Sequence, residues 1–250
     1  MIFATSVLPE ALGPTKININ ILQLNFFYFI NYTLFSFFWQ VINTIQIKRI
    51  SQYLYEASFI TIPQEIPNIS EFWGFGGCSF VDNGKLYLNF DSKYNENISF
   101  HIYCPDFEGI AFIDGATNQN ISDELVSQLP YHIVNGTNSN GIMIASNMIY
   151  NDWDIYSDGN IPLTKLPYLV LNNVKSIDTI YDDLNEILTD LYIPQSSEKL
   201  IQILITDSIN TFILRPDIYN IGSYELVEIS DNAKLSNFYC KTKRQKCQAV

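Results

Sequence analysis

Hydrophobic and polar positions change period several times along this chain, and each change marks a different element. Alternating or continuous apolar runs at 86–91, 99–103 and 109–113 predict three successive strands, a meander headed by Gly77-Cys78. A polar loop is expected over 117–123. Residues 131–141, which contain Asn135-Gly136-Thr137-Asn138-Ser139-Asn140-Gly141, read as a turn-rich stretch. Residues 142–149 read as a buried strand with Asn147 as the one amide near its end. From 162 to 191 apolar residues recur at helical spacing (Leu166, Leu169, Val170, Val174, then Ile180, Leu184, Ile187), predicting two helices with Ser176 as a cap between them. Three more strands are expected at 200–206, 211–214 and 224–229. Strands, a helix pair and strands again form an α+β order with no βαβ alternation and no internal repeat, so helices should lie on the faces of antiparallel sheets.

The first third of the chain follows another pattern. Residues 1–16 carry Pro9, Gly13 and Pro14 and read as loop, whereas 17–47 hold no Asp, Glu, Lys or Arg and are crowded with aromatics such as Phe26-Phe27-Tyr28-Phe29. That run exceeds the roughly 20 residues a helix needs to cross a bilayer. Asn18, Asn20, Gln23, Asn25 and Asn31 interrupt it, and each amide buried in hydrocarbon costs free energy unless paired. Two readings therefore stand side by side: a late-starting secretory signal or signal anchor, and a pro-segment helix lying on the domain. Lys48 and Arg49 close the run on one side and Lys16 on the other, so flanking charge does not fix an orientation. Pro63 and Pro67 mark a linker. The expected division is a hydrophobic extension over 1–77 and one catalytic-sized domain over 78–250. Sequons at Asn31, Asn68, Asn97, Asn120 and Asn135 favour a secreted or membrane-associated protein.

Composition narrows the classes further. The net charge is −12, and the one Lys/Arg cluster lies at 241–246, which argues against a nucleic-acid partner. Four cysteines (Cys78, Cys104, Cys240, Cys247) form no C-x-x-C pair. With His101 and His132 as the two histidines, a structural zinc site has little support, and neither a metal nor a cofactor is expected. There is no G-x-S-x-G elbow and no phosphate-binding G-x-x-x-x-G-K-[ST] loop. Aromatic abundance, with 17 Phe, 16 Tyr and 3 Trp, fits an apolar acyl pocket and a core equally well.

The stretch Phe75-Gly76-Gly77-Cys78-Ser79-Phe80 carries the candidate chemistry. Glycines before the cysteine strip the backbone of side-chain cover, which lets the Gly77–Cys78 bond be bent and attacked. Once cut there, Cys78 becomes a nucleophile whose base is its own α-amine. The bland alternatives are Cys78 as a small buried hydrophobe, Asp91 as a turn residue at a strand end, and Asn147 and Asn237 as satisfied core amides.

Gly77-Cys78-Ser79-Phe80 together with Asn89-Phe90-Asp91 resembles the opening of the linear amide carbon–nitrogen hydrolases, the choloylglycine hydrolase group that includes penicillin V acylases and bile salt hydrolases. In the same order, Asn135 to Gly141 resembles that family's Asp-Gly-x-Asn-Glu-Lys-Gly, Leu166 to Asp178 its helix pair, and Leu235-Ser236-Asn237-Phe238 its Leu-Thr-Asn-Phe segment. The resemblance implies an N-terminal nucleophile hydrolase, a four-layer α-β-β-α sandwich acting on a small N-acyl amide. It further implies Cys78 as nucleophile, Asp91 as the carboxylate that orients its amine, and Asn147 and Asn237 as oxyanion donors. Leu88 stands where the family has arginine, Ser139-Asn140 replace Glu-Lys, and the chain stops ten residues after Cys240, where the family continues. A C-terminally shortened, catalytically inactive member serving as a secreted or membrane-anchored binding protein is the alternative.

Overall fold

The structure, a computed structural model, describes residues 3–4, 45–50, 54–60, 62, 77–82, 84–90, 98–113, 123–229 and 234–235. Its first strands are β1 (Phe3–Ala4), β2 (Ile45–Arg49), β3 (Leu54–Phe59), β4 (Gly77–Asp82), β5 (Lys85–Phe90), β6 (Ile98–Tyr103) and β7 (Phe107–Ile113). After helix α1 (Asp123–Gln128) and a 3-10 turn over Leu129–His132 come β8 (Ile133–Asn138), β9 (Met143–Tyr150) and the short β10 (Ser157–Asp158) and β11 (Ile161–Pro162). Helices α2 (Leu166–Asn173) and α3 (Ile180–Thr189) precede β12 (Leu191–Ile193), β13 (Lys199–Thr206), β14 (Thr211–Pro216), β15 (Tyr224–Ile229) and β16 (Lys234–Leu235).

A nine-stranded sheet in the order β15-β14-β13-β9-β8-β7-β6-β3-β2 forms the middle of the molecule. Its central strands are buried on both faces, which explains why 200–206 reads as a continuous apolar run. Side chains alternate between the faces. Ile203, Ile205, Phe212 and Leu214 join Leu166, Val170, Ile180 and Leu184 in a large core beneath the helices. Leu204, Ala145 and Ile213 turn the other way and pack with Val81, Leu86 and Leu235. Those last three belong to a second sheet, ordered β1-β5-β4-β16. The described residues therefore build three layers, helices on a large sheet on a small sheet, and the class is α+β as the order of elements predicts.

Three expectations change. The meander does not exist, because β4 and β5 form a hairpin in the small sheet while β6 and β7 form one in the large sheet. Periodicity identifies strands but carries no information about which sheet they join. Second, 133–138 is a strand rather than turn. Gly136 accounts for it: a Cβ there would lie 2.6 Å from the Glu108 carbonyl oxygen and 2.8 Å from Leu171 Cδ1, so this glycine lets β8 run close under α2. Gly141, at φ +82°, supplies the left-handed turn that leads into β9. Third, β2 and β3 lie before the expected boundary at Cys78 yet extend the large sheet. β3 pairs in parallel with β6, so the connection over 60–97 is the crossover that a parallel pair requires, and it carries β4 and β5 into the second layer. Of the charge-free run, Ile45 to Ile47 belong to β2, and 17–44 lie outside the described residues. Among the described residues no helix is long and apolar enough to cross a membrane.

The Asn135 to Gly141 motif has a structural role that sequence alone did not reveal. Asn138, buried at the end of β8, donates from Nδ2 to the carbonyls of Leu171 (2.9 Å) and Val174 (2.8 Å), closing the C-terminal end of α2. Its Oδ1 accepts from the backbone N–H groups of Asn140 and Ile142, both at 3.0 Å. Ser139 and Asn140 are exposed turn residues. Asn138→Ala is expected to destabilise the fold by roughly 3 kcal/mol in urea unfolding, because it orphans buried backbone groups, whereas Ser139→Ala should change stability by less than about 0.5 kcal/mol. Equal effects would remove Asn138 from this role. Asn135, half-buried in mid-sheet between Ile110 and Ala145, is not the surface loop a glycan acceptor requires.

Candidate active site at the start of the Cys78 strand

Strand β4 begins at Gly77, the point to which the backbone registers lead. Gly77 faces Phe90, Cys78 faces Asn89 and Ser79 faces Leu88 on β5. On its other side, Ser79 faces Leu235 and Phe80 faces Lys234 of β16. Asp91 is the residue after Phe90 and Asn237 the second after Leu235; both lie outside the described residues, and of Cys78 only the backbone is described.

Asn147 comes from the adjacent layer. It sits in β9, is 1% exposed, and its Oδ1 accepts a 2.7 Å hydrogen bond from the Ser79 hydroxyl. This side-chain bond ties the beginning of the small sheet to the middle of the large one. Gln202 on β13 is the register partner of Asn147 and is fully buried. A serine and two amides are thus enclosed between layers otherwise held by Val81, Leu86, Ala145, Leu204 and Ile213. On the opposite face of the small sheet Phe80 stacks on Tyr87, with ring centroids 4.8 Å apart, and Asp82 is exposed.

Of the serine and the two amides, Asn147 is expected from the sequence as a candidate oxyanion donor, whereas Ser79 and Gln202 are not. Gln202 had a signal, since it is the one polar residue within Leu200-Ile201-Gln202-Ile203-Leu204-Ile205, a run too apolar to tolerate an amide without a partner. Ser79 had none beyond its position next to Cys78.

The remaining titratable groups lie elsewhere. Burial, reinforced by Asp106, pushes the Cys104 thiol up to about 12. His101 Nδ1 is 2.9 Å from the Tyr103 hydroxyl, and among the described residues no group of three His, Cys, Asp or Glu gathers that could hold a metal ion. A groove lined by Tyr181, Leu184, Leu188, Ile221, Tyr224 and Leu226 opens on the helix side, away from β4.

His132 is buried, and burial first, then the Lys165 ammonium, push it down to about 3. Below its ordinary value of 6.5 the unfolded chain binds a proton that the folded chain refuses. The stability contributed by neutral His132 is therefore present above about pH 6.5 and is lost as pH falls toward 3, by up to about 1.4 kcal/mol per unit. Urea midpoints followed from about pH 7 to pH 4 are expected to fall more steeply for wild type than for His132→Gln, and parallel slopes would contradict this.

No family model matches the chain, and no curated protein matches it in sequence. Solved structures that superpose on it include two variants of conjugated bile acid hydrolase from Clostridium perfringens. Each is 15% identical, with TM-scores of 0.33 and 0.32, over 63% of this chain and 44% of that one. The chain thus matches less than half the length of those enzymes.

Proposed function

We propose that this chain is a hydrolase of linear amides of the choloylglycine hydrolase type, acting on a small N-acyl substrate through Cys78 after cleavage between Gly77 and Cys78. One observation carries the reading: the backbone registers and the Ser79–Asn147 hydrogen bond lead four separated sequence segments to the start of β4. Cys78 and Asn147 lie in β4 and β9, and along the sequence Asp91 is the residue after β5 and Asn237 the second after β16. In this scheme the α-amine of Cys78, oriented by Asp91, accepts the thiol proton while sulfur attacks the carbonyl carbon. Asn147 and Asn237 hold the tetrahedral oxyanion, each worth on the order of 3 kcal/mol. The C–N bond then breaks as the ammonium returns its proton to the leaving amine, and water hydrolyses the thioester to regenerate the thiol. The chemistry calls for no cofactor, and the net charge of −12 disfavours nucleic acid.

Cleavage also answers a geometric requirement. Ser79 and Val81 hold the inward positions of β4. A strand keeping strict alternation would not offer position 78 to that face. Cutting the peptide bond before Cys78 frees rotation about its Cα–C bond, which repositions amine and side chain together. The full-length protein would be secreted or membrane-associated.

Turnover of phenoxyacetyl, bile-acid and long-chain acyl amides by protein with an exposed Cys78 tests the function. Hydrolysis of at least one is expected. The inactive binding-protein reading rests on Leu88 at the family's arginine position; it gains ground if wild type turns over none of the panel and Leu88→Arg restores activity.

A further inference from the structure

The nucleophile and the residue that aims an oxyanion donor are neighbours in one strand. We propose that Ser79 is a positioning residue, whose hydroxyl fixes the orientation of the Asn147 amide; this rests on the hydrolase reading above. The two ends of an asparagine amide have nearly the same shape, and a pocket that does not distinguish them would present oxygen to an oxyanion as readily as nitrogen. At 2.7 Å the Ser79 O–H donates to Oδ1, which commits that end of the amide and leaves Nδ2 as the end facing elsewhere. Ser79 and Asn147 are each 1% exposed, so no bulk water competes for the bond, and reversing the amide would cost the full penalty of a mispaired buried group. Ala145 and Leu204 belong to the apolar cluster enclosed between the same two layers. Because Ser79 follows Cys78 directly, movement of β4 carries nucleophile and orienting hydroxyl together.

The experiment compares processed wild type, Ser79→Ala and Ser79→Thr on whichever phenoxyacetyl, bile-acid or long-chain acyl amide wild type hydrolyses fastest. In parallel, the side-chain amide of Asn147 is followed by NMR in asparagine-labelled protein, with Asn147→Asp supplying the assignment. Ser79→Ala is expected to lower kcat about 10- to 100-fold, with KM changed less than about threefold, because a misdirected donor forfeits part of the 10²- to 10³-fold that an oxyanion donor supplies. Ser79→Thr, which keeps the hydroxyl, should recover most of kcat. The Asn147 amide should lose exchange protection in the alanine variant alone. An active wild type whose Ser79→Ala variant keeps its kcat and an unaltered amide overturns the role of Ser79. Loss of kcat that threonine does not recover, with the amide unmoved, also overturns it, because the effect is then one of packing. A wild type inert on all three substrates overturns the hydrolase reading and the catalytic consequence of this contact with it. The amide signal then still decides whether Ser79 orients Asn147.

Discussion

Cys78→Ser is expected to slow amide turnover at least about a thousandfold, while Cys104→Ser leaves it within about threefold. The contrast follows from ionisation. With its thiol pushed up to about 12, Cys104 is a thiolate in roughly one molecule in 100,000 at pH 7, too few to act as a nucleophile. Its backbone N–H is already committed to the Phe107 carbonyl at the β6–β7 turn. A free cysteine thiol titrates near ~8.5 and an α-amine near ~8, so in a terminal cysteine small environmental shifts suffice to make the pair reactive. Serine in the same place is scarcely ionised at neutral pH and would acylate far more slowly. Cys240 and Cys247 lie outside the described residues, and their serine variants are expected to stay within a small factor of wild type. The readout is turnover by the four variants on one substrate; loss of activity in Cys104→Ser alone would mean that the nucleophile has been misassigned.

The second large effect concerns the fate of residues 1–77. A chain cut before Cys78 is expected to remain one particle under native conditions and to separate into two fragments only on denaturation. The reason is β3. Leu54 to Ser58 pair in register with Ser99 to Tyr103 of β6, and Tyr55, Ala57 and Phe59 enter the main core. Tyr55 stacks on Phe100 at a centroid distance of 5.4 Å. Fully burying Tyr55 and Phe59 contributes roughly 3–6 kcal/mol, before the β2–β3 hairpin and the ladder hydrogen bonds are counted. Losing the fragment would bare β6 as a long apolar edge, an invitation to aggregation. Size-exclusion chromatography with mass detection, run against denaturing electrophoresis of the same sample, distinguishes the outcomes. A soluble, monodisperse 78–250 particle lacking the N-terminal fragment would refute the prediction.

The parts of the molecule legible in the sequence were those written in local periodicity. Helical spacing located α2 and α3, and Ser176 accepts the Asp178 N–H, at 3.2 Å, as the expected cap. The strands at 200–206, 211–214 and 224–229 needed only small adjustments at their ends. What periodicity does not carry is membership of a sheet. Lys85–Phe90 and Ile98–Tyr103 look alike as strings, yet they lie in different layers. The 54–59 strand alternates cleanly, but Ala57 is small and prolines follow, so its membership of the large sheet is not legible in the sequence. The 133–138 strand hides behind Asn and Gly because its close approach to α2 selects for absent side chains. In the candidate site, Asn147 stands out as the one amide near the end of an apolar run, and its expected role comes from the motif resemblance. Ser79 was missed because a contact across 68 positions leaves no local trace.

The proposed mechanism requires Cys78 to be a chain terminus. Protein isolated from its natural source, subjected to N-terminal sequencing and intact-mass measurement, tests that most directly. The expected result is a fragment beginning Cys78-Ser79-Phe80-Val81 with a free α-amine, accompanied by the complementary N-terminal piece. A chain uncut between Gly77 and Cys78 that nevertheless hydrolyses amides would contradict it, because the proton acceptor on which the mechanism depends would not exist.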